Sequence, residues 1–298
     1  MGTLPDDDSP RSPAPPAEPF AAERQVAVDA AREAGALLRS RFQDDYGVRA
    51  KGDAGDVVTD LDLMAERLVV RRIRERYPDD RILAEETGAT GAADAGTRRT
   101  WLVDPLDGSN NVVIGLPAYV VGVALCVDDR PVVGVVHDPV TERTWTASRG
   151  GGAYGPRGRL TGPRAPLSPS GPLLAWTQGH AVGRRDPVAL GLKDALEGRC
   201  RRLLQLWAPL LAWAMLARGD IDGFVGYRAE AIDLPAGALL AAEAGLEIRA
   251  LDGGVFRGGV SGPDTDRSFV AGRPEDMPYL LGLLTRRADN GRPPVLTG

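Results

Sequence analysis

Apolar residues recur at helical spacing between positions 20 and 42, where Ala27, Ala30, Ala34, Leu37 and Leu38 share a face, and the spacing predicts an amphipathic helix lying on a sheet. A second helical stripe, Leu61, Met64, Ala65, Leu68 and Ile73, runs through 60–77 and is stopped by Pro78. Between them, 51–56 is polar and glycine-bearing and reads as a mobile loop. Short apolar runs at 82–84 and 101–103 read as strands, the first followed by a small-residue loop over 87–97. The pattern then changes to antiparallel sheet, with strands over 118–127, 131–136 and 142–147. His137-Asp138-Pro139 closes one of these strands as a turn. A Pro- and Ser-rich connection at 163–172 looks like a boundary. Beyond it strands at 173–177, 201–206, 221–225, near 246 and at 268–271 alternate with helices at 187–196, 209–217, 234–244 and 274–287. The chain is thus expected to be α/β, with a disordered Pro-rich tail over 1–17, an N-terminal α+β half over 18–162 and a C-terminal α/β half over 163–298.

Composition narrows the function. The net charge of −5 is modest and the basic residues are scattered, which predicts no nucleic-acid partner. No apolar run is long enough for a membrane span, and the first residues do not have the form of a signal peptide, so a cytoplasmic protein is expected. Two cysteines and two histidines supply neither a disulfide framework nor a zinc site or histidine triad. Carboxylates must carry any chemistry.

They are concentrated at one strand exit, Trp101-Leu102-Val103-Asp104-Pro105-Leu106-Asp107-Gly108-Ser109-Asn110-Asn111. The strand delivers Asp104, Pro105 breaks the ladder, and Asp107 follows three residues on. Gly108, Ser109 and Asn110 form a small-residue turn whose backbone amides are available to a phosphate. Such a string is also ordinary turn composition, so the reading depends on what else joins it. Glu85-Glu86 ends the preceding strand, and if the two strands are neighbours Glu85 lies near Asp104. Asp60 and Asp62 stand in the first turn of a helix, where acids commonly serve as caps. Asp233, before Leu234-Pro235, has the position of a helix N-cap, and an oxygen there can also reach a metal.

With these segments in hand, the chain resembles the inositol monophosphatase family of lithium-sensitive, magnesium-dependent phosphatases. Residues 101–111 fit its signature, Ala84-Glu85-Glu86 its strand end, and 56–62 its D-x-V-T-x-x-D segment; Ile232-Asp233-Leu234-Pro235-Ala236 matches its last motif more weakly. The resemblance implies a layered α/β/α/β sandwich, often dimeric in the family, so a homodimer is carried as an expectation. It implies two to three Mg2+ ions. Glu85, Asp104 and the Leu106 carbonyl would hold a first ion, Asp104 would bridge to a second completed by Asp107 and Asp233, and Glu85 would help hold a third. Asp62 and the Ser109 hydroxyl would orient the attacking water, and Lys51 would be the lysine of a loop that closes over the site. The implied partner is a small phosphorylated metabolite, cleaved to an alcohol and phosphate.

The substrate side departs from the family. Its ring-contacting glutamate is replaced by Gly226, with Glu230 a candidate substitute; Trp207 stands where the family has a small residue; Ile232 replaces a tryptophan. These changes point to an alcohol other than plain inositol: a sugar, cyclitol or aminocyclitol phosphate, histidinol phosphate, or a 3′-phosphonucleotide such as adenosine 3′,5′-bisphosphate. Arg228 is the only extra basic residue the sequence offers near the pocket, which leans toward a monophosphate. A catalytically idle relative that binds a phosphorylated metabolite as a regulatory subunit is the competing reading. The intact Asp62, Glu85, Asp104, Asp107, Ser109 and Asp233 argue against it.

Overall fold

A computed structural model describes residues 19–51, 55–91 and 98–284; the Pro-rich tail and the end of the last expected helix lie outside them. The first helix, α1 (Ala21–Arg41), and the second, α2 (Asp60–Arg76), form where the periodicity predicts. Their buried stripes differ in detail. Leu37, Met64 and Leu68 are only partly covered, while Val28 and Val69 are buried, because the two helices pack against each other as well as on the sheet. Between them, β1 (Val48–Lys51) and β2 (Asp56–Thr59) pair antiparallel as a hairpin on either side of the expected loop; residues 52–54 of that loop lie outside the described set.

An eight-stranded sheet follows. Its strands are β3 (Arg81–Ala84), β4 (Gly88–Thr90), β5 (Arg99–Asp107), β6 (Val120–Val127), β7 (Arg130–Asp138), β8 (Arg143–Ser148), β9 (Gly152–Gly155) and β10 (Gly158–Arg159), in the order β10-β9-β8-β7-β6-β5-β3-β4. Strand β4 falls inside the span expected to be loop, and β3 and β5 run parallel. The expected turn at 137–139 is made by Asp138, whose carboxylate accepts the amides of Val140 and Thr141, while His137 is buried in β7 against Thr144.

Both faces of this sheet are covered, and its alternation shows which layer each residue serves. On β5 and β6, Trp101, Val103, Val121, Val123 and Leu125 face α1 and α2, whereas Leu102, Val120, Ala124 and Cys126 face the second half of the chain. That half forms a five-stranded sheet of order β12-β11-β13-β15-β14, from β11 (Leu173–Gln178), β12 (Arg202–Leu204), β13 (Gly223–Tyr227), β14 (Glu247–Ala250) and β15 (Phe269–Gly272). Helices α5 (Pro209–Arg218) and α6 (Pro235–Glu243) lie between the sheets, and α4 (Pro187–Glu197) and α7 (Met277–Leu284) cover the outer face of the second. The layered α/β/α/β order is present, with α4 and α7 as a further layer.

The middle layer is tightly packed. Trp213 on α5 stacks on Phe269 with ring centroids 4.8 Å apart, and Phe224 meets both rings edge-on. At Gly134 on β7 a side chain would come within 2.7 Å of the Ala236 carbonyl oxygen, so only glycine admits α6 at this distance. No described helix is long and apolar enough to cross a membrane.

Candidate active site

The site forms where strand ends from the two sheets meet. In the first sheet β3 and β5 run side by side with Ala84 opposite Val103, and the Glu85 amide donates to the Val103 carbonyl at 3.1 Å. Parallel register therefore delivers Glu85 and Asp104 together, as parallel strands do at their carboxyl ends. Pro105 does not end the strand. The ladder continues to Asp107 through a bulge, in which Asp104 pairs with Gly122 and Asp107 with Val120. A bulge absorbs the missing amide of Pro105 and turns Asp104 and Asp107 toward one side. Asp104 Oδ1 also accepts the Leu106 amide at 3.1 Å.

Gly108 then takes φ 112°, a conformation that favours glycine, and a side chain there would come within 2.8 Å of the Ala118 carbonyl oxygen. The chain passes directly into α3 (Ser109–Val113), so Ser109 is held at its start. Its hydroxyl lies 2.5 Å from Asp62 Oδ1 and 3.0 Å from the Leu106 carbonyl. Asp62 is fully buried and does not itself line the cleft. It closes a capping box with Thr59 at the start of α2, its Oδ2 accepting the Thr59 amide at 2.8 Å. Cap and site partner are one residue: one oxygen fixes the helix end and the other faces Ser109.

Two residues that sequence reasoning missed position this machinery. Glu66 is buried one turn beyond Asp62 on the same face of α2, and its carboxylate accepts the Glu86 amide at 2.7 Å and the Thr87 amide at 3.1 Å, fixing the turn that carries Glu85. A glutamate four places after Asp62 was the only available signal. Asn111 is also buried; its Nδ2 donates to the carbonyls of Ala118 and Leu206, both at 2.6 Å, tying the signature turn to the segment that carries Trp207.

The far wall comes from the second sheet. Asp233 follows β13 and lines the same cleft as Glu85, Asp104, Asp107 and Ser109, a hollow of about 830 Å3. It is not the N-cap of α6. That position belongs to Leu234, which offers no side-chain cap, since the chain bends through 231–234 before Pro235 starts the helix. Asp107 instead caps a different helix. Its Oδ2 accepts the amides of Leu210 at 2.7 Å and Leu211 at 3.3 Å, at the start of α5, whose own N-cap Ala208 has no acceptor.

The electrostatics follow from this crowding. Burial, then the charges of Glu85, Asp107 and Asp233, push Asp104 well above the usual carboxylate range. Burial and the neighbouring Asp233 do the same to Asp107, against the pull of the α5 amides. Asp233 is pushed up to about 8 by burial and by Glu85. Asp62 is raised by burial, with its bonds to Ser109 and Thr59 opposing. Lys51, at the end of β1, reaches in from the hairpin and donates to Glu85 at 2.7 Å and Glu86 at 2.9 Å. Burial opposes its charge, but those two glutamates outweigh burial and raise it.

This donor set suits a hard divalent ion: carboxylate oxygens, buried, mutually repelling and short of positive charge. As placed, no three acidic or imidazole side chains among the described residues meet at a common metal position. Glu85 is turned to Lys51, Asp107 to α5 and Asp104 to the Leu106 amide.

Residues 22–283 match the family model described as the inositol monophosphatase family. The chain belongs to the inositol monophosphatase family. It is 33% identical over 228 residues to inositol monophosphatase 1 of Solanum lycopersicum, spanning 74% of this chain and 81% of that protein. It is also 33% identical over 231 residues to the Nus factor SuhB of Escherichia coli K12, spanning 77% and 85%. Among solved structures, the extragenic suppressor protein suhB of Bartonella henselae superposes with a TM-score of 0.78 at 25% identity, covering 89% of this chain and 99% of that one. The family supports a metal-dependent phosphatase, generally magnesium-dependent, of the α/β class.

Against the family pattern, the substrate side is rearranged. Gly226 lies on β13 beneath Phe269, where any side chain would meet that ring at 2.2 Å, so the position that carries the family's glutamate has no room for one. Glu230 does not take over: it lies outside the cleft lining, and its Oε1 accepts the His180 amide at 2.8 Å to hold the turn at 179–180. Arg228 is also outside the lining and pairs with Asp264 at 2.6 Å. The cations that do line the far side are Arg184 and Lys193, neither of which the sequence pattern singled out. Trp207 lines the cleft, is 63% exposed and adopts φ 52°, which presents its indole at the rim. Asn110 and Gly108 line it as well.

Proposed function

We propose that the protein is a magnesium-dependent phosphomonoesterase that hydrolyses a small phosphorylated polyol, sugar, cyclitol or related metabolite. The observation that carries this reading is that Glu85 after β3, Asp104 and Asp107 on β5, and Asp233 after β13 line one cleft together with a serine hydroxyl held by a buried carboxylate. Glu85, Asp104, Asp107, Asp233 and the Leu106 carbonyl are the groups that would hold two to three Mg2+ ions, and those ions supply countercharge to the phosphate oxygens and acidity to a water.

The chain's own residues do the rest. Asp62 accepts the hydrogen bond of the Ser109 hydroxyl, which leaves that oxygen's lone pairs to accept a hydrogen bond from a water in the cleft and so orient it. Gly108, Ser109 and Asn110 line the cleft beside these acids, and their backbone amides would donate to the phosphate oxygens. Glu66 and Asn111 hold the turns that carry these groups. Trp207 offers a flat apolar surface to the alcohol at the rim.

Inorganic phosphate release from a panel of monophosphates, with and without MgCl2, tests the reading. Magnesium-dependent release from at least one monoester is expected. No release from any, together with measurable binding of a phosphorylated metabolite, would favour the idle regulatory subunit instead, a reading kept open by relatives whose printed name is Nus factor SuhB.

A further inference from the structure

The cleft extends well past the carboxylates. Its far wall is built from the carboxyl end of β11, the loop after it, and α4, and this wall is chemically unlike the acidic one. Arg184 and Lys193 both line it, and neither has an ion-pair partner among the described residues. Glu197, one turn along α4, is close enough to act on Lys193 electrostatically but forms no ion pair with it. The Lys193 ammonium stands over the Trp176 ring, 5.5 Å from its centre. Arg184 reaches toward the β1–β2 hairpin, where a side chain at Gly55 would lie 2.9 Å from its Nη2.

Two polar atoms on the same wall are unsatisfied. Trp176 is 4% exposed and lines the cleft, yet its Nε1 has no hydrogen-bond partner, and neither does the buried Oε1 of Gln178 two residues on. Both atoms are shut off from solvent, so what this wall offers a ligand is its two cations, which have no ion-pair partner among the described residues. Surface cations normally sit in water or against acids; here three of the cleft's acids, Glu85, Asp104 and Asp107, come from the first sheet, and Lys51 is engaged by Glu85 and Glu86.

We infer that Arg184 and Lys193, the latter seated over the Trp176 ring, form a second anion subsite, so that the preferred substrate is a phosphate monoester whose alcohol carries a second anionic group, a phosphate or a carboxylate. The inference rests on the phosphatase reading for the scissile end. It adds the selectivity of the other end. An arginine beside a lysine recognises either anion, the arginine through paired donors and the lysine as a point charge. The departures at Gly226 and Glu230 agree with it: the family's contact to a neutral hydroxyl is absent, and cations stand further out in the cleft.

Matched substrates test it. With MgCl2 present, phosphate release is measured from fructose 1,6-bisphosphate against fructose 1-phosphate, and from 2-phosphoglycerate against glycerol 2-phosphate. At least one doubly anionic member is expected to exceed its partner in kcat/KM by about tenfold or more, the pair that does so telling a phosphate from a carboxylate. Lys193→Met and Arg184→Gln are each expected to collapse that ratio toward one, mainly through KM of the doubly anionic substrate. Equal efficiency within both pairs, or variants that lower both members equally, overturns the subsite. Should no substrate be hydrolysed, the phosphatase reading fails by itself. Thermal shifts with fructose 1,6-bisphosphate against fructose 1-phosphate then decide the subsite: a larger shift with the bisphosphate that both variants abolish supports it, and equal shifts refute it.

Discussion

Asp107 does two things that a pair of substitutions separates. Its Oδ2 accepts the Leu210 and Leu211 amides at the start of α5, where Pro209 has no amide to satisfy and Ala208 has no side-chain acceptor. Its charge is also one of several buried carboxylates that repel one another. Asp107→Ala removes the cap and leaves those buried amides without a partner. Loss of an N-cap costs about 1–2 kcal/mol, and relief of repulsion returns part of it. The net loss of about 1 kcal/mol lowers Tm by roughly 2–4 °C in a chain of this size. Asp107→Asn keeps an acceptor oxygen for α5 and removes the charge, so its metal-free Tm is expected to equal or exceed that of the wild type. Its activity is another matter. A neutral amide is a much weaker ligand for a hard divalent ion, and losing several kcal/mol of charge stabilisation lowers turnover by about a thousandfold. Calorimetric melting in chelator and in MgCl2, beside phosphate release, gives the comparison: the asparagine variant should be stable, inactive and less stabilised by magnesium than the wild type. If alanine and asparagine destabilise equally, Asp107 is not the cap described. If asparagine leaves turnover intact, Asp107 does not hold metal.

The buried acids also set a pH dependence. Asp233 titrates near 8 in the folded protein against about 4 in the unfolded chain, so the folded state holds the extra proton between these values and metal-free stability falls as pH rises from about 4 to 8. Urea midpoints in chelator should be lower at about pH 8.5, just past that window, than at about pH 5.5, within it, and millimolar MgCl2 should restore the higher-pH value; a flat profile contradicts this. Glu66→Ala leaves the Glu86 and Thr87 amides without their acceptor and should cost about 2–3 kcal/mol, with kcat falling because Glu85 is no longer held. Denaturant melts and phosphate release measure both, and an active, stable variant removes Glu66 from its positioning role. Gly226→Glu, which restores the family's residue, should lower stability by about 1–3 kcal/mol, because its first carbon meets the Phe269 ring; a stable variant that gains activity on inositol monophosphate would show that Phe269 yields.

What the sequence revealed and what it hid divide along a physical line. Glu85, Asp104 and Asp107 were legible because they come just after short apolar runs, 82–84 and 101–103, and parallel neighbours bring such runs side by side. The continuation of β5 through Pro105 was not, since a bulge depends on the partner strand β6 and not on local composition. Strand β4 was hidden for the same reason: its three residues acquire strand character from β3 alone. Asp62 was weighed as either a cap or a site residue, and the two oxygens of one carboxylate serve both ends. Asp233 read as a cap and is not one, because the bends before Pro235 shift the helix start past it. Arg184 and Lys193 were invisible in the pattern because one lies in a polar turn and the other on a helix whose exposed face ordinarily carries charge. The parallel pairing of β11 with β13 is what brings that segment into the cleft that the acids line. Local chemistry therefore indicates the reacting end of the cleft, where motif and strand end coincide, while the opposite wall is a product of tertiary pairing. With the proposed second subsite, selectivity would reside on that wall, and family likeness would specify the reaction more closely than the alcohol.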